Sequence, residues 1–446
     1  MSRRYFGTDG VRGRVGQVPM TPDFALKLGW AAGRVLGKAP GARVLIGKDT
    51  RRSGYMFESA LEAGFAAAGV ETDLLGPIPT PGVAYLTRAL RCQAGVVISA
   101  SHNPHHDNGV KFFGADGGKL SDAIELEIES LLDEPLICAS PEQLGRALRI
   151  DDAAGRYIEF CKSSFPIQQT LSGVKIVIDC ANGAAYKTAP AVFAELGAEI
   201  FVIGDKPDGF NINRGCGSTH LELLQKTVVE QRAHIGVALD GDADRCLLVT
   251  QDGREVDGDE ILFIIARQRL QAGVLQGPVV GTQMSNLGLE QAILALGIGF
   301  ERAKVGDRYV LELLKSTGGT IGGETSGHLL CLDRTSTGDG TVTALQILAA
   351  MAESGMTLAE LTKGMTKFPQ VLINLKVQGA AKPLLEHPAV RTEVVSVEQE
   401  LDSRGRVLLR ASGTEPLIRV MVEADEPALT QRMAERIADR LRQIAQ

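Results

Sequence analysis

The chain has 446 residues, of which 44% are hydrophobic and 23% are charged, and its formal net charge is −7. This composition is ordinary for a globular protein and excludes intrinsic disorder and collagen-like repeats. The mild acidity argues against nucleic acid as a partner. The longest apolar run, residues 261–266, is far shorter than the roughly 20 residues of a membrane helix, so we expect no membrane partner either.

Cysteine usage indicates the compartment. The seven cysteines are scattered along the chain and none forms a Cys-x-x-Cys pair, which supports neither a zinc site nor a disulfide framework. The first residues lack the apolar core of a signal peptide. We therefore expect reduced, buried thiols in a cytoplasmic protein.

Short β-branched runs alternate with helix-length amphipathic segments along most of the chain. This alternation is typical of βαβ units. Strand-like runs at 43–47, 175–179 and 278–282 are each followed by a short polar turn and a helix-like segment. The recurrence predicts three related α/β layers, with coincidence among unrelated βα units as the alternative.

The last part of the chain has a different pattern. Pro369 ends a helical segment, because proline disfavours a helical residue before it. Strand-like runs at 371–377, 407–411 and 418–423 then lead to an amphipathic helix at 427–444. We predict three related α/β domains, with mixed sheets sandwiched by helices, plus a smaller C-terminal α+β domain, arranged around a central cleft. The predicted domains are 1–155, 156–254, 255–368 and 369–446.

A serine follows the first buried strand that ends in a polar loop. Ser101 comes just after the run 96–98, at the carboxyl end of a strand, where α/β sheets place ligand sites. We expect it to be exposed and to be a nucleophile. His102 is a basic neighbour, but adjacent side chains usually point apart, and no G-x-S-x-G elbow is present. A serine or asparagine turn that caps a helix is the alternative.

Three carboxylates follow a second apolar strand. Asp240, Asp242 and Asp244 stand at alternate positions and would repel one another strongly without a cation. Arg245 and Gln251 occupy the positions where an EF-hand requires glycine and glutamate. The pattern therefore favours a Mg²⁺ site over a calcium loop, with a solvated acidic turn as the alternative.

Two further polar loops could bind a substrate. Glu324, Ser326 and His328 lie on a glycine-rich stretch that could bond sugar hydroxyls or could be an ordinary turn. A second loop combines two arginines with a Ser-Gly-Thr turn and is a candidate phosphate cradle. Its members are Arg410, Ser412, Gly413, Thr414 and Arg419.

Nucleotide-binding motifs are missing. Residues 33–38 are one residue too short for a P-loop, and no G-x-G-x-x-G occurs. Neither ATP nor a nicotinamide cofactor is indicated. A serine acceptor, a metal site, a sugar-binding loop and a phosphate clamp together suit phosphoryl transfer, which depends mostly on positioning and electrostatics.

These residues resemble the α-D-phosphohexomutase superfamily from end to end. The resemblance is carried by FGTDGVRG (6–13), SASHNP (99–104), DGDADR (240–245), GETSGH (323–328) and RASGTEP (410–416). The segments 304–312 and 417–423 point to its glucosamine branch. Thr325 stands where that branch carries glutamine.

The resemblance implies an isomerase that interconverts glucosamine 6-phosphate and glucosamine 1-phosphate and supplies UDP-N-acetylglucosamine synthesis. Ser101 would be a phosphoserine that passes through a glucosamine 1,6-bisphosphate intermediate, with that compound or glucose 1,6-bisphosphate as activator. The three aspartates and a phosphoserine oxygen would hold one Mg²⁺. A phosphomannomutase or phosphoglucomutase, or a non-catalytic sugar-phosphate-binding protein, is the alternative.

The resemblance also implies roles for individual residues. Lys111 would be the acid/base, His102 would be a further catalytic residue, and Arg12 would orient the transferring phosphoryl group. The other expected contacts are Glu324 and Ser326 on sugar hydroxyls, Lys304, Arg245 and His328 on substrate, and Arg410, Ser412, Gly413, Thr414 and Arg419 on the non-transferring phosphate. A homodimer is expected.

Overall fold

The computed structural model describes residues 3–377, 381–411 and 417–445. The chain forms two compact units. The first contains the residues up to Thr282 together with Ala303–Thr362, and the second contains residues 283–302 and those from Lys363 onward.

The first sheet of the first unit is mixed. Its strands and helices are β1 (Val11–Arg14), α1 (Pro22–Leu36), β2 (Arg43–Lys48), α2 (Arg52–Ala67), β3 (Glu71–Pro77), α3 (Thr80–Ala89), β4 (Ala94–Ile98), β5 (Asp107–Gly114), α4 (Asp122–Leu131) and β6 (Ala147–Arg149). The strand order is β1-β5-β4-β2-β3-β6. Strands β2, β3, β4 and β6 run parallel, while β5 is antiparallel to both β4 and β1.

The second sheet repeats this plan on a smaller scale. Its elements are α5 (Ala153–Ser163), β7 (Lys175–Asp179), α6 (Thr188–Glu195), β8 (Glu199–Ile203), α7 (Glu222–Gln231), β9 (Ile235–Leu239), β10 (Cys246–Thr250) and β11 (Glu255–Val256). The order is β11-β10-β9-β7-β8. Strand β7 is parallel to β8 and β9, and β10 is antiparallel to β9.

The third stretch of the chain contains both helical and strand segments. Its elements are α8 (Gly258–Gln271), β12 (Val279–Thr282), α9 (Leu287–Ala295), β13 (Phe300–Ala303), α10 (Asp307–Thr317), β14 (Ile321–Gly323), β15 (Leu329–Cys331), α11 (Gly340–Ser354) and α12 (Leu358–Leu361). Strand β14 is parallel to β12 and antiparallel to β15. Helix α8 begins where the Asp257 side chain accepts hydrogen bonds from the amides of Asp259 and Glu260, as an N-cap does.

The C-terminal part of the second unit is α+β. Its elements are β16 (Gln370–Lys376), α13 (Ala381–Leu385), α14 (Pro388–Leu401), β17 (Gly405–Ala411), β18 (Leu417–Ala424) and α15 (Pro427–Ala445). The sheet is antiparallel with β18 in the centre. Side chains of β18, α14 and α15 form one apolar core.

The predicted fold class is confirmed: mixed α/β sheets flanked by helices precede an α+β module. Strands β4, β7 and β9 are almost wholly buried, which explains why they read as short apolar runs rather than alternating ones. All seven cysteines are free, and six of them are buried. Within the described residues, no helix has the length and apolar character needed to cross a bilayer.

Candidate active site

Ser101 lies on the loop after β4, residues 99–104, which we call the serine loop. Its side chain is only 1% exposed, so the expectation of an exposed serine is wrong: the loop folds inward and the hydroxyl is covered. The residue adopts a left-handed backbone with φ +51°. Its Oγ donates a 2.5 Å hydrogen bond to Oδ2 of Asp240. The predicted nucleophile and the predicted metal site are therefore in contact.

The aspartate triad lies on the turn after β9. Asp240, Asp242 and Asp244 are buried, and one carboxylate oxygen from each lies within 4.8 Å of the others. The turn is therefore not a solvated acidic loop. Oδ1 of Asp242 is buried without a hydrogen-bond partner among the described residues. An oxygen in that position is available to a cation.

The electrostatics of the triad fit a hard divalent cation. Burial, together with the charges of Asp244 and Asp242, raises the pKa of Asp240 to about 8. Burial also opposes ionisation of Asp244, but Lys111 and His328 hold the pKa of its carboxyl well below the usual range. Converging carboxylate oxygens are the ligands that Mg²⁺ and Ca²⁺ prefer. The residues present could therefore hold such an ion.

Lys111 supplies the positive charge that balances the triad. It lies on β5 with its side chain 3% exposed, and its Nζ lies 2.8 Å from Asp242 Oδ2 and 3.2 Å from Asp244 Oδ2. Burial opposes its charge, yet Asp242, Asp244 and Asp9 raise the pKa of the ammonium well above its usual value. Lys111 is therefore protonated at neutral pH in this arrangement.

Three residues that the sequence did not single out extend this network. Asp9 lies 3.0 Å from Lys111 Nζ and accepts a 2.6 Å hydrogen bond from Lys119. Lys119 also forms a 2.6 Å ion pair with Asp307. Asp9 and Asp307 lie inside sequence segments that carry the family resemblance, so these segments could have identified them as site residues. Lys119 lies in no such segment. Arg12, on β1, is ion-paired with Asp9.

The two histidines of the site have opposite electrostatic environments. His102 Nδ1 is 3.4 Å from Ser101 Oγ, so the expectation that the two side chains point apart is wrong. Burial, with Arg245 and Arg12, lowers the pKa of His102 to about 4, which leaves a neutral imidazole beside the serine. Burial also opposes charge on His328, but Asp244 and Asp307 raise its pKa to about 9.

The candidate sugar-binding residues occupy the turn between β14 and β15 and its surroundings. Glu324 and Ser326 are half-buried there, and Glu324 Oε1 accepts a 2.9 Å hydrogen bond from the Gly306 amide. Thr325 donates to Asp259. Lys304 is exposed, with its Nζ 5.6 Å from the centre of the Tyr309 ring.

Arg245 and His328 both approach the triad. Arg245 Nε is 4.0 Å from Asp244 Oδ1, and His328 Nδ1 is 3.5 Å from the same oxygen. The first unit therefore gathers nine of the predicted residues around one buried cluster. They are Arg12, Ser101, His102, Lys111, Asp240, Asp242, Asp244, Arg245 and His328.

The two arginines of the candidate phosphate cradle lie in the second unit. Arg410 on β17 is paired directly with Arg419 on β18, and both are half-buried. Burial and the charge of Arg419 lower the pKa of Arg410. Two like charges side by side favour an anion between them. Ser412, Gly413 and Thr414 lie outside the described residues.

The chain is similar to known proteins over its whole length. Models of the phosphoglucomutase/phosphomannomutase family match residues 3–135 (α/β/α domain I), 155–253 (domain II), 257–368 (domain III) and 372–440 (the C-terminal domain). Phosphoglucosamine mutase of Aeromonas hydrophila subsp. hydrophila is 60% identical over 441 residues, which cover 99% of each chain.

Solved structures have the same fold. A phosphoglucomutase/phosphomannomutase family protein from Burkholderia thailandensis matches with a TM-score of 0.84 at 25% identity, covering 99% of this chain and 98% of that one. N-acetylphosphoglucosamine mutase of Aspergillus fumigatus, in complex with GlcNAc-6P and magnesium, matches with a TM-score of 0.69 at 18% identity. The match covers 100% of this chain and 96% of that one.

Proposed function

Because the chain belongs to the phosphoglucosamine mutase branch of the phosphoglucomutase/phosphomannomutase family, we propose that it interconverts glucosamine 6-phosphate and glucosamine 1-phosphate. The observation that carries the proposal is the hydrogen bond from Ser101 Oγ to Asp240 within a buried carboxylate triad. A nucleophile held against a cation-binding cluster suits phosphoryl transfer.

Ser101 would act as a phosphoserine. In the first half-reaction the bond between phosphorus and Ser101 Oγ breaks, and a bond forms from phosphorus to a hydroxyl of the sugar phosphate, giving glucosamine 1,6-bisphosphate. The bisphosphate turns over, and its other phosphoryl group returns to Ser101 Oγ, which releases the product. The same bisphosphate, or glucose 1,6-bisphosphate, would prime the unphosphorylated enzyme.

Proton transfer is assigned to Lys111. Its ammonium is buried and charged, which suits it to give a proton to Ser101 Oγ when that oxygen becomes the leaving group. In the reverse direction the resulting neutral amine would take the proton from Ser101 Oγ as that oxygen attacks phosphorus, and the sugar oxygen, now the leaving group, would regain its proton. The neutral imidazole of His102 can hydrogen-bond Ser101 Oγ, and Arg12 would orient the transferring phosphoryl group.

The triad would hold one Mg²⁺ together with an oxygen of the phosphoserine. Support comes from the unpartnered Oδ1 of Asp242 and from the raised pKa of Asp240. A bound Mg²⁺ neutralises charge that develops on the transferring phosphoryl group. The fungal structure with the same fold was obtained with magnesium.

The remaining contacts are proposed from the resemblance. Glu324 and Ser326 would bind sugar hydroxyls, with Lys304, Arg245 and His328 as further substrate contacts. Arg410, Ser412, Gly413, Thr414 and Arg419 would hold the phosphate that is not transferred. We also propose that the protein is a cytoplasmic homodimer that supplies UDP-N-acetylglucosamine synthesis.

The decisive experiment compares initial rates with glucosamine, mannose and glucose phosphates, in Mg²⁺ with a trace of bisphosphate. We expect kcat/KM to favour the glucosamine phosphate by roughly 100-fold, or about 2.7 kcal/mol. Comparable rates on the other sugars would contradict the branch, and Thr325 would be the first residue to replace. No turnover on any sugar would favour a non-catalytic binding protein.

The Ser101→Ala variant tests the phosphoserine itself. We expect turnover to be lost. On incubation with bisphosphate, the wild type should gain the mass of one phosphoryl group and the variant should not. The fold should survive, because only the two hydrogen bonds of the hydroxyl, with Asp240 and His102, are removed, each worth roughly 1 kcal/mol. A variant that retains normal turnover would exclude the mechanism.

A further inference from the structure

Among the described residues, Arg51 is the largest side chain that is completely buried, with 0% of its surface exposed. It lies between β2 and α2, in a segment to which neither the motifs nor the proposed mechanism gives a role. A buried arginine requires a partner for its charge and for each of its N–H groups. The positions of those partners indicate what the residue does.

Four of the five guanidinium N–H groups point at backbone carbonyls of the serine loop and the residues just beyond it. Nη2 donates to the carbonyl oxygens of Ser101 at 2.8 Å and Asn103 at 2.9 Å. Nη1 donates to those of Pro104 and Asp107. The fifth group, Nε–H, donates to Asp49 Oδ2 at 2.8 Å. The whole fork of the guanidinium is therefore used.

Asp49 connects the same arginine to the other side of the serine. Ser99 Oγ donates a 2.6 Å hydrogen bond to Asp49 Oδ2 and accepts one of 2.9 Å from the Ser101 amide. The amide and the carbonyl of Ser101 are thus both held, one through Asp49 and Ser99 and the other by Arg51 directly. Asn213 Nδ2 also donates to the Ser101 carbonyl, at 2.9 Å.

This network is needed because of the conformation of Ser101. A left-handed backbone is disfavoured for a residue with a side chain and persists where the surroundings over-determine it. In that conformation Oγ reaches Asp240. We infer that Arg51 is a positioning residue, which holds the serine loop by its carbonyl oxygens so that Ser101 Oγ faces the aspartate triad.

The Arg51→Lys variant tests this assignment. Lysine keeps the positive charge, but it has three donors on a single atom and cannot reproduce the planar fork. We expect kcat to fall by roughly 100-fold, as for a misplacement of about 1 Å at a reacting centre. KM should change by less than roughly threefold, because the residue binds no substrate; this consequence rests on the proposed function.

The matched control is Arg269→Lys. Arg269 is also buried, at 3% exposure, and its guanidinium contacts Asp333 and Gln346 rather than the serine loop. A general cost of placing lysine at a buried arginine site would appear in both variants. We expect the control to keep kcat within roughly threefold of wild type.

Hydrogen exchange provides a readout that does not depend on activity. In Arg51→Lys we expect the amides of Ser101 and Asn103 to exchange roughly tenfold faster or more, with the rest of the chain as in the control. If Arg51→Lys does not fold, Asn213→Asp removes the other donor to the Ser101 carbonyl and should give the same local acceleration and the same fall in kcat.

The outcomes separate this inference from the proposed function. Unchanged exchange in the serine loop with kcat within threefold of wild type would overturn the positioning role. The serine loop of Arg51→Lys could exchange faster while the wild type turns over no sugar phosphate. That pair of results would support the positioning role and contradict the proposed function. An equal loss of kcat in Arg269→Lys would assign the effect to general destabilisation and also overturn it.

Discussion

The two oxygens of the Asp242 carboxylate have different surroundings. Oδ2 accepts hydrogen bonds from Thr80 Oγ1 at 2.6 Å and from Lys111 Nζ at 2.8 Å. Oδ1 is buried and has no partner among the described residues. One oxygen therefore fixes the side chain, and the other remains for a ligand. A buried carboxylate oxygen without a partner is costly, which makes Asp242 the most informative member of the triad to replace.

We predict that Asp242→Asn weakens binding of Mg²⁺ by roughly tenfold or more, or about 1.4 kcal/mol, because an amide adds no charge to the site. The rise in Tm on adding Mg²⁺ should shrink, and the Mg²⁺ concentration needed for half-maximal turnover should increase. Both measurements are needed, since the first does not depend on catalysis.

Asp179→Asn is the matched control for the metal experiment. Asp179 is buried at the end of β7 in the same sheet, where it accepts hydrogen bonds from the amides of Ala181 and Gly217. Its replacement should lower the baseline Tm but leave the Mg²⁺-dependent increase unchanged. An unchanged Mg²⁺ response in Asp242→Asn would remove the triad from the metal site.

At the scale of elements, the loops that follow β4, β7 and β9 are in backbone contact. A Cβ on Gly183 would lie 2.5 Å from the Gly241 carbonyl oxygen, and a Cβ on Gly241 would lie 2.5 Å from the Ser101 carbonyl oxygen. The amide of Ala184 donates to the Gly241 carbonyl at 2.8 Å. The three loops can approach this closely only because these positions lack side chains.

We predict that Gly183→Ala displaces the loop carrying the triad and lowers both stability and kcat. The stability loss should be roughly 1–3 kcal/mol, as for an inserted methyl group in a packed region. Gly155→Ala is the control, because that residue is exposed on α5 with open space around it. It should be neutral or stabilise by up to about 1 kcal/mol. Equal effects on kcat in the two variants would refute the argument from loop contact.

Helix α11 is capped at its N-terminus by a titratable residue, Asp339. Asp339 Oδ1 accepts a 3.0 Å hydrogen bond from the Val342 amide, and Oδ2 accepts one of 2.9 Å from the Tyr157 hydroxyl. Burial raises the pKa of Asp339 from 3.8 to about 6. The folded state therefore favours the protonated carboxyl. Its contribution to stability is complete below about pH 3.8 and is lost as pH rises through about 6.

The Asp339→Asn variant should not show this pH dependence. The amide can accept from Val342 and donate to the Tyr157 hydroxyl, so both contacts persist without a charge. We expect the stability of wild type minus that of the variant to fall between pH 4.5 and 7.5, by at most about 3 kcal/mol for a shift of roughly two pKa units. The difference in Tm across that range measures it. A pH-independent difference would show that the carboxyl does not titrate there.

At the scale of the whole molecule, the sequence predicts the strands and the residues at their ends, because these depend on the local order of apolar and polar residues. Strand β7 was predicted residue for residue, since a buried strand reads as a short apolar run. The same logic placed Ser101 and the triad at the ends of strands. Burial of Ser101 was missed because it depends on how the serine loop folds back against Asp240, a partner 139 positions away in the chain.

The unpredicted residues of the site share that long-range character. Lys119 contacts Asp9 across 110 positions, and Asn213 contacts Ser101 across 112. No periodicity or spacing in the sequence encodes such pairs, because each depends on the crossovers between sheets. Arg51 was missed for a different reason, since a lone arginine in a polar turn is expected to be solvated.

The distribution of cysteines gives a test of the fold as a whole. Cys138 is exposed, while the other six thiols are buried at separate places in the first unit and none of the seven is in a disulfide. Burial raises the pKa of Cys216 and of Cys331 to about 12, and a thiol without thiolate character reacts slowly. We predict one rapidly labelled thiol in the native protein and all seven after denaturation.

The measurement is the number of thiols that react with an aromatic disulfide reagent before and after adding guanidinium chloride. Cys138→Ser should abolish the rapid phase in the native protein and leave the slow phase unchanged. The buried thiols are spread over the first unit, in strands (Cys246 and Cys331), in a helix (Cys161) and in loops (Cys92, Cys180 and Cys216). Their slow labelling therefore reports opening of that unit. If two or more thiols were labelled rapidly in the native protein, the part of the first unit around the additional thiol would open far more readily than its packing implies.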